Sequence, residues 1–515
     1  MIRITLFFVL LILVAACNPK EDYPALTENT SELHDESLKP FYHGVASGDP
    51  LPESVIIWTR VTPLTQLPNI DVSWEVSTDE NFENVAQSGS FTTIPDRDYT
   101  VKVDVKGLSA GTPYFYRFKA LEGVSAVGKT KTAPTSPTQL KFAVVSCSNY
   151  EWGYFNTYAR VAEEEELNAV LHLGDYIYEY GQGKYGDTTI GRFNIPAHEI
   201  ISLQDYRDRY AQYRLDPDLQ AAHSHHPFIN IWDDHEISNN SYVDGAENHQ
   251  ADEGDYQKRK AIAKQVYYEW LPIRESDTHY RAFSFGPLAD LIMLDERLAG
   301  RTKPLDSLSD ATLQSEERSI LGKTQLGWLE QQLTNSTAQW KLIGNQVIFS
   351  YLNWGYPTFN INLDAWDGYP AEQQQVADFI RSNDIKNIVF LTGDTHSAWA
   401  FEVTNHPLKD YNPATSEGAF AVEFGVTSIN SSNSNERYPT DSVIVHEQKI
   451  VNTAINPHLK YANMRDHGYL LLTVDAEKAK AEYKFIGTLR ERDKTLRTEK
   501  TIQVKTGEVR LEEVN

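Results

Sequence analysis

The stretch that decides the fold is Leu171–Glu179, with the sequence LHLGDYIYE. It contains the end of a predicted buried strand, which stops at Gly174 and is followed by Asp175 and Tyr178. A carboxylate can bridge two cations, whereas a phenol, with an ordinary pKa of about 10, binds metal well only beside a strongly acidic ion. The pattern therefore indicates a two-metal centre with a ferric-type ion on one side. The alternative interpretation is a strand-ending turn that is covered by an aromatic ring.

Residue types that bind metal also follow other apolar runs of the chain. These runs and their followers are Phe142–Ser146 before Cys147, Phe228–Trp232 before Asp233–Glu236, Trp340–Gly344 before Asn345, and Asn387–Leu391 before Asp394 and His396. Each signal alone is weak, because an Asp after a strand is commonly a turn residue. In open α/β sheets, however, ligands bind outside the carboxyl ends of the strands. Five such ends in succession therefore predict one shared crevice.

The remaining pattern divides the chain into segments. Residues 139–515 alternate short apolar runs with helical repeats, which predicts a layered α/β domain. Residues 41–132 carry short alternating strands without a helix signal, which predicts a small β-sandwich. It looks like a fibronectin III-type module, with Leu108 and Tyr114 in the tyrosine-corner arrangement. Residues 18–40 are polar and are expected to form a tether.

Residues 1–17 have the pattern of a lipoprotein signal peptide. Arg3 precedes an apolar run that is too short to span a bilayer, and Val14–Cys17 resembles the bacterial lipobox, in which the cysteine is acylated. An ordinary cleaved signal with an incidental cysteine is the alternative interpretation. We expect an exported protein that is held on a bacterial membrane only by lipid on Cys17, facing the periplasm or at the cell surface. The second cysteine, Cys147, would then be an unpaired thiol, and a role as a metal ligand would account for it.

The charge balance argues against one class of partner. Across 515 residues, 47 Lys and Arg stand against 72 Asp and Glu, which gives a net charge of −25. A field of that sign opposes docking onto nucleic acid, so nucleic acid is not expected as a structural partner. We expect a monomer.

The order of the motifs carries a family resemblance. GDYIY at 174–178, DDHE at 233–236, Asn345 after an apolar strand and GDTHS at 393–397 resemble the calcineurin-like metallophosphoesterases. The further motifs SCSNY, WDDHEISNN, LDERLAGR and DAWDGYP narrow the resemblance to the alkaline phosphatase D (PhoD-like) family. The resemblance runs from about residue 41 to the C-terminus. It implies an α/β fold of the four-layer metallophosphoesterase type, preceded by a small fibronectin III-like β-sandwich.

The resemblance also implies a mixed iron–calcium centre, with one Fe³⁺ and one or more Ca²⁺. Carried over residue by residue, the iron ligands would be Cys147, Asp175, Tyr178 and His396. The calcium ligands would be Asp175 as the bridge, Asp234, Asn345 and Asp394. The residue types agree with this assignment, because thiolate, phenolate and imidazole together suit iron and hard oxygen ligands suit calcium.

His235 matches the catalytic histidine of the family. It would lie beside the metals and contact the phosphoryl oxygens or the leaving group. Supporting or cleft positions, each of which could equally serve packing, are predicted for Tyr176, Asn240, Arg297, Tyr369 and Trp399. The histidines at 223, 225 and 226 precede a strand instead of following one, so they are interpreted as a surface loop and not as a metal cluster.

The expected activity is the hydrolysis of a phosphate ester by a metal-bound hydroxide, without a covalent phosphoenzyme. One alternative is a phosphodiesterase or phospholipase D-like hydrolase in the same fold, which needs room on both sides of phosphorus. A more distant alternative is an inactive surface lipoprotein that binds phosphate or glycan.

Overall fold

The computed structural model describes residues 23–514. The predicted signal peptide and lipidated Cys17 lie outside the described residues. Within the described part, no helix is both long enough and apolar enough to cross a membrane.

The described residues form three sheets. The first contains, in spatial order, β22 (Leu511–Glu513), β21 (Leu496–Lys505), β20 (Lys478–Ile486), β19 (Gly468–Asp475), β9 (Gln139–Val145), β10 (Ala169–His172), β11 (Pro227–Asn230), β1 (Val45–Leu51), β2 (Ser54–Arg60) and β5 (Thr100–Lys106). The second contains β12 (Arg281–Phe285), β13 (Ala289–Met293), β14 (Trp340–Asn345), β15 (Ile388–Thr392), β17 (Ala421–Gly425), β16 (Ala398–Val403) and β18 (Leu459–Asn463). The third contains β4 (Val85–Thr93), β3 (Ile70–Ser77), β6 (Pro113–Ala120) and β7 (Gly123–Val124), with β8 (Gly128–Lys131) also paired to β6.

The helices flank the two larger sheets. They are α1 (Asn156–Ala162), α2 (Leu203–Arg214), α3 (Pro217–His225), α4 (Tyr256–Trp270), α5 (Gly322–Asn335), α6 (Pro370–Ser382) and α7 (Thr440–Ile450). Single 3-10 turns lie at Ser31–Leu33, Glu36–Leu38, Pro95–Arg97, Tyr150–Trp152, Thr188–Ile190, Ala251–Glu253, Trp366–Gly368 and Ser434–Glu436.

The two larger sheets pack face to face, and the alternation of side chains along β9 explains why. Phe142 and Val144 point into the core between the sheets, whereas Ala143 and Val145 pack with residues of helices α1 to α4. Helices α5 and α6 cover the outer face of the second sheet. The resulting order of helix, sheet, sheet and helix confirms the predicted four-layer α/β fold.

The predicted β-sandwich is present, but one of its sheets is not separate from the layered domain. Strands β1, β2 and β5 pack against β3 and β6, and β1 also pairs in parallel with β11, with Ser47 opposite Pro227. The hydroxyl of Tyr114 accepts a hydrogen bond of 2.9 Å from the backbone N–H of Ser109, as the tyrosine corner requires. The N-terminal module therefore extends the sheet on which the site is built.

Much of the predicted tether packs on this module. Ala25 forms a β-bridge with Thr65, Glu28 forms a salt bridge with Arg60, and Thr30 is buried. Within the predicted tether of residues 18–40, the segment 25–30 therefore contacts the module. The sequence pattern does not reveal these contacts, because the partners Thr65 and Arg60 are distant in sequence.

Candidate metal centre

The loops that follow β9 and β10 are held together by backbone hydrogen bonds. The N–H of Cys147 donates to the carbonyl of Gly174 at 3.1 Å, and the N–H of Ser148 donates to the carbonyl of Asp175 at 2.8 Å. Gly174 has φ +104°, and a Cβ atom there would lie 2.4 Å from the Cβ of Asp233. Glycine is therefore required for the β10 and β11 loops to approach each other.

The carboxylate of Glu236 holds together the loops that follow β10 and β11. It accepts hydrogen bonds from the backbone N–H groups of Asp175 at 3.0 Å, Tyr176 at 2.5 Å and Asp233 at 2.8 Å. Glu236 is buried, so these bonds form away from water. The DDHE motif by itself does not indicate this role of Glu236, because the partners Asp175 and Tyr176 are about 60 residues away.

The predicted iron ligands come together in the structure. Donor atoms of Cys147, Asp175 and His396 all lie within 4.8 Å of one another. The hydroxyl of Tyr178 donates to Asp175 Oδ2 at 3.0 Å and lies 3.1 Å from His396 Nε2. On the other side of the imidazole ring, His396 Nδ1 lies 2.7 Å from the carbonyl of Ser432. A proton on Nδ1 would leave the lone pair of Nε2 directed at the cluster.

A second group shares Asp175. Donor atoms of Asp175, Asp234 and His235 lie within 4.8 Å of one another. Asp234 Oδ2 accepts a 2.6 Å hydrogen bond from the backbone N–H of Asn240, which fixes the orientation of this carboxylate. Asn240 therefore acts here through its backbone, while its side chain donates to Glu247.

The imidazole ring of His235 is oriented by the buried carboxylate of Glu179. Its Nδ1 lies 2.6 Å from Glu179 Oε2, and Glu179 Oε1 accepts from the N–H of Asn239 and from Nδ2 of Asn248, each at 2.8 Å. Burial opposes charge on the imidazole, but the carboxylates of Glu179 and Asp234 outweigh that effect and raise the pKa of His235 well above its ordinary value. With Nδ1 bound to Glu179, Nε2 is the nitrogen left for other contacts.

Arg297 joins the remaining carboxylates of the site. Its guanidinium donates to Asp233, to Asp364 at 2.6 Å and to Asp394 at 3.1 Å, and lies 3.8 Å from Asp234. Arg297 is fully buried, and an arginine keeps its charge in such surroundings. It therefore supplies a fixed positive charge beside two predicted calcium ligands, which supports its predicted supporting position.

Asn345 lies at the end of β14, as predicted, and its amide is well anchored. Its Nδ2 donates to the carbonyl of Val347 and to Thr392 Oγ1 at 3.3 Å, and its Oδ1 accepts from Trp366 Nε1 at 3.2 Å. The contact with Thr392 places Asn345 beside the strand that leads to Asp394. Its role as a calcium ligand stays a prediction.

Three of the predicted supporting residues have their polar atoms directed into the protein. Tyr176 Oη lies 2.8 Å from His223 Nε2, Tyr369 Oη donates to the carbonyl of Thr302 at 2.7 Å, and Trp399 Nε1 donates to Thr395 Oγ1 at 2.8 Å. Each is buried. The contacts of Tyr176 and Tyr369 are therefore packing contacts inside the protein, whereas Trp399 also holds the loop between Asp394 and His396. A supporting role for these residues stays a prediction.

The histidine-rich segment before β11 is not a surface loop. His223 and His225 lie on α3, and His223 is fully buried, with its ring stacked on Phe228 at a centroid distance of 3.9 Å. The segment is helical because Asp216 caps its N-terminus and Pro217 occupies the first helical position, where proline is favourable.

The electrostatics of the site call for additional positive charge. Burial raises the pKa of Asp394 to about 7 despite the nearby Arg297, and burial followed by Asp175 raises that of the Cys147 thiol well above its ordinary value. Burial lowers the pKa of His396 to about 3, so its imidazole is neutral. Buried acids and a neutral imidazole at one point form a donor set that fits a bound cation.

The backbone is strained at the same positions. Cys147, Asp175, Asp394 and His396 have φ values of 61°, 56°, 63° and 55°, in the left-handed region that residues with a Cβ rarely adopt. All four are predicted metal ligands at the ends of strands. Their shared conformation turns each side chain towards the crevice instead of continuing the strand.

Comparisons with known proteins agree with this architecture. The sequence profile of the PhoD-like phosphatases matches residues 142–483, and the profile of the N-terminal domain of these phosphatases matches residues 28–134. Alkaline phosphatase D of Bacillus subtilis (strain 168) is 39% identical over 479 residues, which cover 87% of this chain and 78% of that protein. A solved structure of PhoD matches with a TM-score of 0.83 at 35% identity, covering 93% of each chain. The chain therefore belongs to the PhoD-like phosphatase family and is a phosphoric ester hydrolase.

Proposed function

We propose that the chain hydrolyses phosphate esters with a ferric ion held by Cys147, Asp175, Tyr178 and His396, and with calcium held by Asp175, Asp234, Asn345 and Asp394. The observation that carries the proposal is the convergence of a thiol, a carboxylate and an imidazole within 4.8 Å, with a phenol hydrogen-bonded to two of them. A mixed soft and hard donor set of this kind suits iron, whereas the oxygen donors on the other side of Asp175 suit calcium.

Bound cations would supply a lowered pKa for water and a counter-charge for the phosphoryl oxygens. The chain's own contribution is to hold the donors in place before a cation arrives. Glu236 fixes the backbone of Asp175, and the carbonyl of Ser432 fixes the ring of His396. Such outer contacts orient ligands and tune their basicity.

His235 is proposed to donate a proton to the leaving oxygen from Nε2. Glu179 binds Nδ1, which leaves Nε2 free to face the leaving oxygen. Arg297 has a different role, because three carboxylates already occupy its guanidinium. It is proposed to hold Asp394 in position and to offset the charge of the acidic cluster instead of binding the substrate.

Phosphodiester hydrolysis is a second candidate, and it is favoured by two separate cavities whose linings include residues that contact the candidate site. A cavity of about 770 Å³ is lined in part by Asn240 and Asp364, and another of about 520 Å³ is lined in part by Tyr180 and Tyr185. Both substituents of a diester would then find room. The ratio of kcat/KM for a diester to that for its monoester, measured with Ca²⁺ present, decides between the two activities.

Changing Cys147 to Ala is expected to remove the colour of the purified protein. Thiolate and phenolate ligands on ferric iron give a visible charge-transfer band, so this variant should lose or shift the band, and kcat/KM should fall by about a hundredfold. Visible absorption, iron analysis and steady-state kinetics check the result. The matched control is Cys17→Ser, which should keep both the band and the activity. A colourless, iron-free and fully active wild-type protein would contradict the iron assignment.

We also propose, from the sequence pattern at Val14–Cys17, that the mature protein is exported and anchored by lipid. The variant Cys17→Ser should move the protein from the membrane fraction to the soluble fraction, because a lipid chain and not a helix would hold it. Cell fractionation and the intact mass of the N-terminal peptide check this, and here Cys147→Ala is the control that should stay in the membrane fraction. An N-terminal peptide without lipid in the wild type overturns the proposal.

A further inference from the structure

We propose that the cavity lined by Tyr180, Lys184 and Tyr185, which we call the tyrosine pocket, receives the leaving group and selects alcohols that carry a flat ring with an acidic substituent. The inference rests on the proposed role of His235 as the proton donor. It adds the chemical class of the leaving group to the proposed activity.

The shape of the tyrosine pocket suits one ring. Its volume is about 520 Å³, within the usual range for small-molecule sites. Two of its walls are the rings of Tyr180 and Tyr185, whose centroids lie 5.5 Å apart with the planes at 62°. The two rings form an angled aromatic wall against which a planar group can pack.

The pocket adjoins the group that is proposed to protonate the leaving oxygen. The ring of Tyr180 lies 5.5 Å from the ring of His235. Asn248 lines the pocket and also donates to Glu179, the carboxylate that orients His235. In an in-line displacement the proton donor must lie on the side of the departing oxygen. The space next to His235 is therefore the space for the leaving alcohol.

The far wall of the pocket reaches the predicted iron ligands. Tyr185 Oη lies 3.5 Å from His396 Nδ1 and 3.2 Å from Ser431 Oγ. These contacts hold the Tyr185 ring between the metal centre and the pocket. A leaving group bound there would touch the wall while its oxygen remains at the centre.

The charged residues that line the tyrosine pocket indicate which substituent the leaving alcohol carries. Lys184 is exposed and forms no salt bridge with any residue in the range 23–514. The carboxylate of the pocket, Glu199, is already bound to Arg259 at 2.8 Å. The other residue of the lining that can carry positive charge, His198, lies 3.2 Å from Asp205, so the ammonium of Lys184 is available to an anionic group in the pocket. It favours a leaving group with an acidic substituent.

The other cavity provides matched controls. It is lined by Lys303 and Phe359, which offer the same two chemistries, but its contacts with the site run through Asn240 and Asp364 and not through His235. Substitutions there should leave the choice of leaving group unchanged.

The test compares kcat/KM for methyl phosphate, phenyl phosphate and 4-carboxyphenyl phosphate. Tyr180→Leu is expected to lower kcat/KM for phenyl phosphate by about tenfold and for methyl phosphate by less than about twofold, because only the aryl group loses a stacking partner. Lys184→Ala should reduce the preference for 4-carboxyphenyl over phenyl phosphate by about threefold, with less effect at high salt. Phe359→Leu and Lys303→Ala should change neither ratio.

The result that overturns the inference is an equal loss for all three esters in Tyr180→Leu, which would mean that Tyr180 only supports His235. A change of selectivity in Phe359→Leu in place of Tyr180→Leu would overturn it as well. Failure of the proposed function itself would give a different result from failure of this inference. In that case the wild type would not turn over methyl phosphate, or His235→Ala would keep full turnover with every ester.

Discussion

Replacing Asp175 with Asn is expected to lower kcat/KM by roughly a thousandfold to ten-thousandfold, on the order of 5 kcal/mol of transition-state stabilisation. Among residues 23–514, Asp175 belongs to both groups of candidate ligands, and it is the proposed bridge between two cations. Its Oδ2 also accepts from Tyr178, and its Oδ1 lies 3.4 Å from the N–H of His235. An amide keeps the shape but loses the charge and one strong acceptor.

Metal analysis must accompany the kinetics of Asp175→Asn. Iron and calcium should fall together, because the bridging position would be lost to both. Asp384→Asn is a suitable control, since Asp384 is exposed and pairs only with Lys386 among the described residues. If Asp175→Asn keeps both metals and loses only turnover, the bridging role is wrong and Asp175 acts directly on the substrate.

The variant His235→Ala is expected to keep its metals and lose turnover by roughly a hundredfold to ten-thousandfold. Glu179→Gln should give a smaller loss, about tenfold to a hundredfold, because it acts only through the orientation and charge of His235. The double variant should be no slower than His235→Ala alone, since two residues that work as one unit do not have additive effects.

Metal content and the double-mutant cycle distinguish a proton-donating role of His235 from a merely structural one. Donor atoms of His235 lie close enough to Asp175 and Asp234 for the ring to be a metal ligand itself. Loss of metal from His235→Ala, to the extent expected for Asp175→Asn, would establish that role instead and remove the assignment as proton donor. Additive losses in the double variant would show that Glu179 has a function of its own.

The fold was largely predictable because five buried strands lead to residues whose chemistry differs sharply from the apolar run before them. Cys147, Asp175 and Asn345 are examples that the structure places where the strand pattern indicated. Helices α3, α4 and α7 were not predicted. In α4 the buried face includes Arg259 and Glu269, so charged residues interrupt the apolar stripe that reveals a helix.

The convergence of the candidate site residues at the ends of the strands was predictable, but their contacts were not. Glu179 lies within the first motif and could have been noticed as a charge in a buried stretch, yet its partner His235 is 56 residues away. Likewise, sequence alone gave no sign that Arg297 holds Asp233, Asp364 and Asp394 together. Such pairings depend on how loops cross, and side-chain type alone does not fix this.

The left-handed backbone conformation of four predicted ligands lowers the thermal stability of the protein while it places side chains needed for catalysis. Holding each of Cys147, Asp175, Asp394 and His396 in this conformation costs about 1 kcal/mol or more, a cost that glycine would avoid. A screen that selects only for resistance to heat, without metal in the medium, would therefore favour glycine wherever the lost packing and hydrogen bonds of the side chain cost less than this conformation. The variants it enriched would be sturdier proteins that had lost their ligands, so heat resistance is a misleading proxy for activity in this chain.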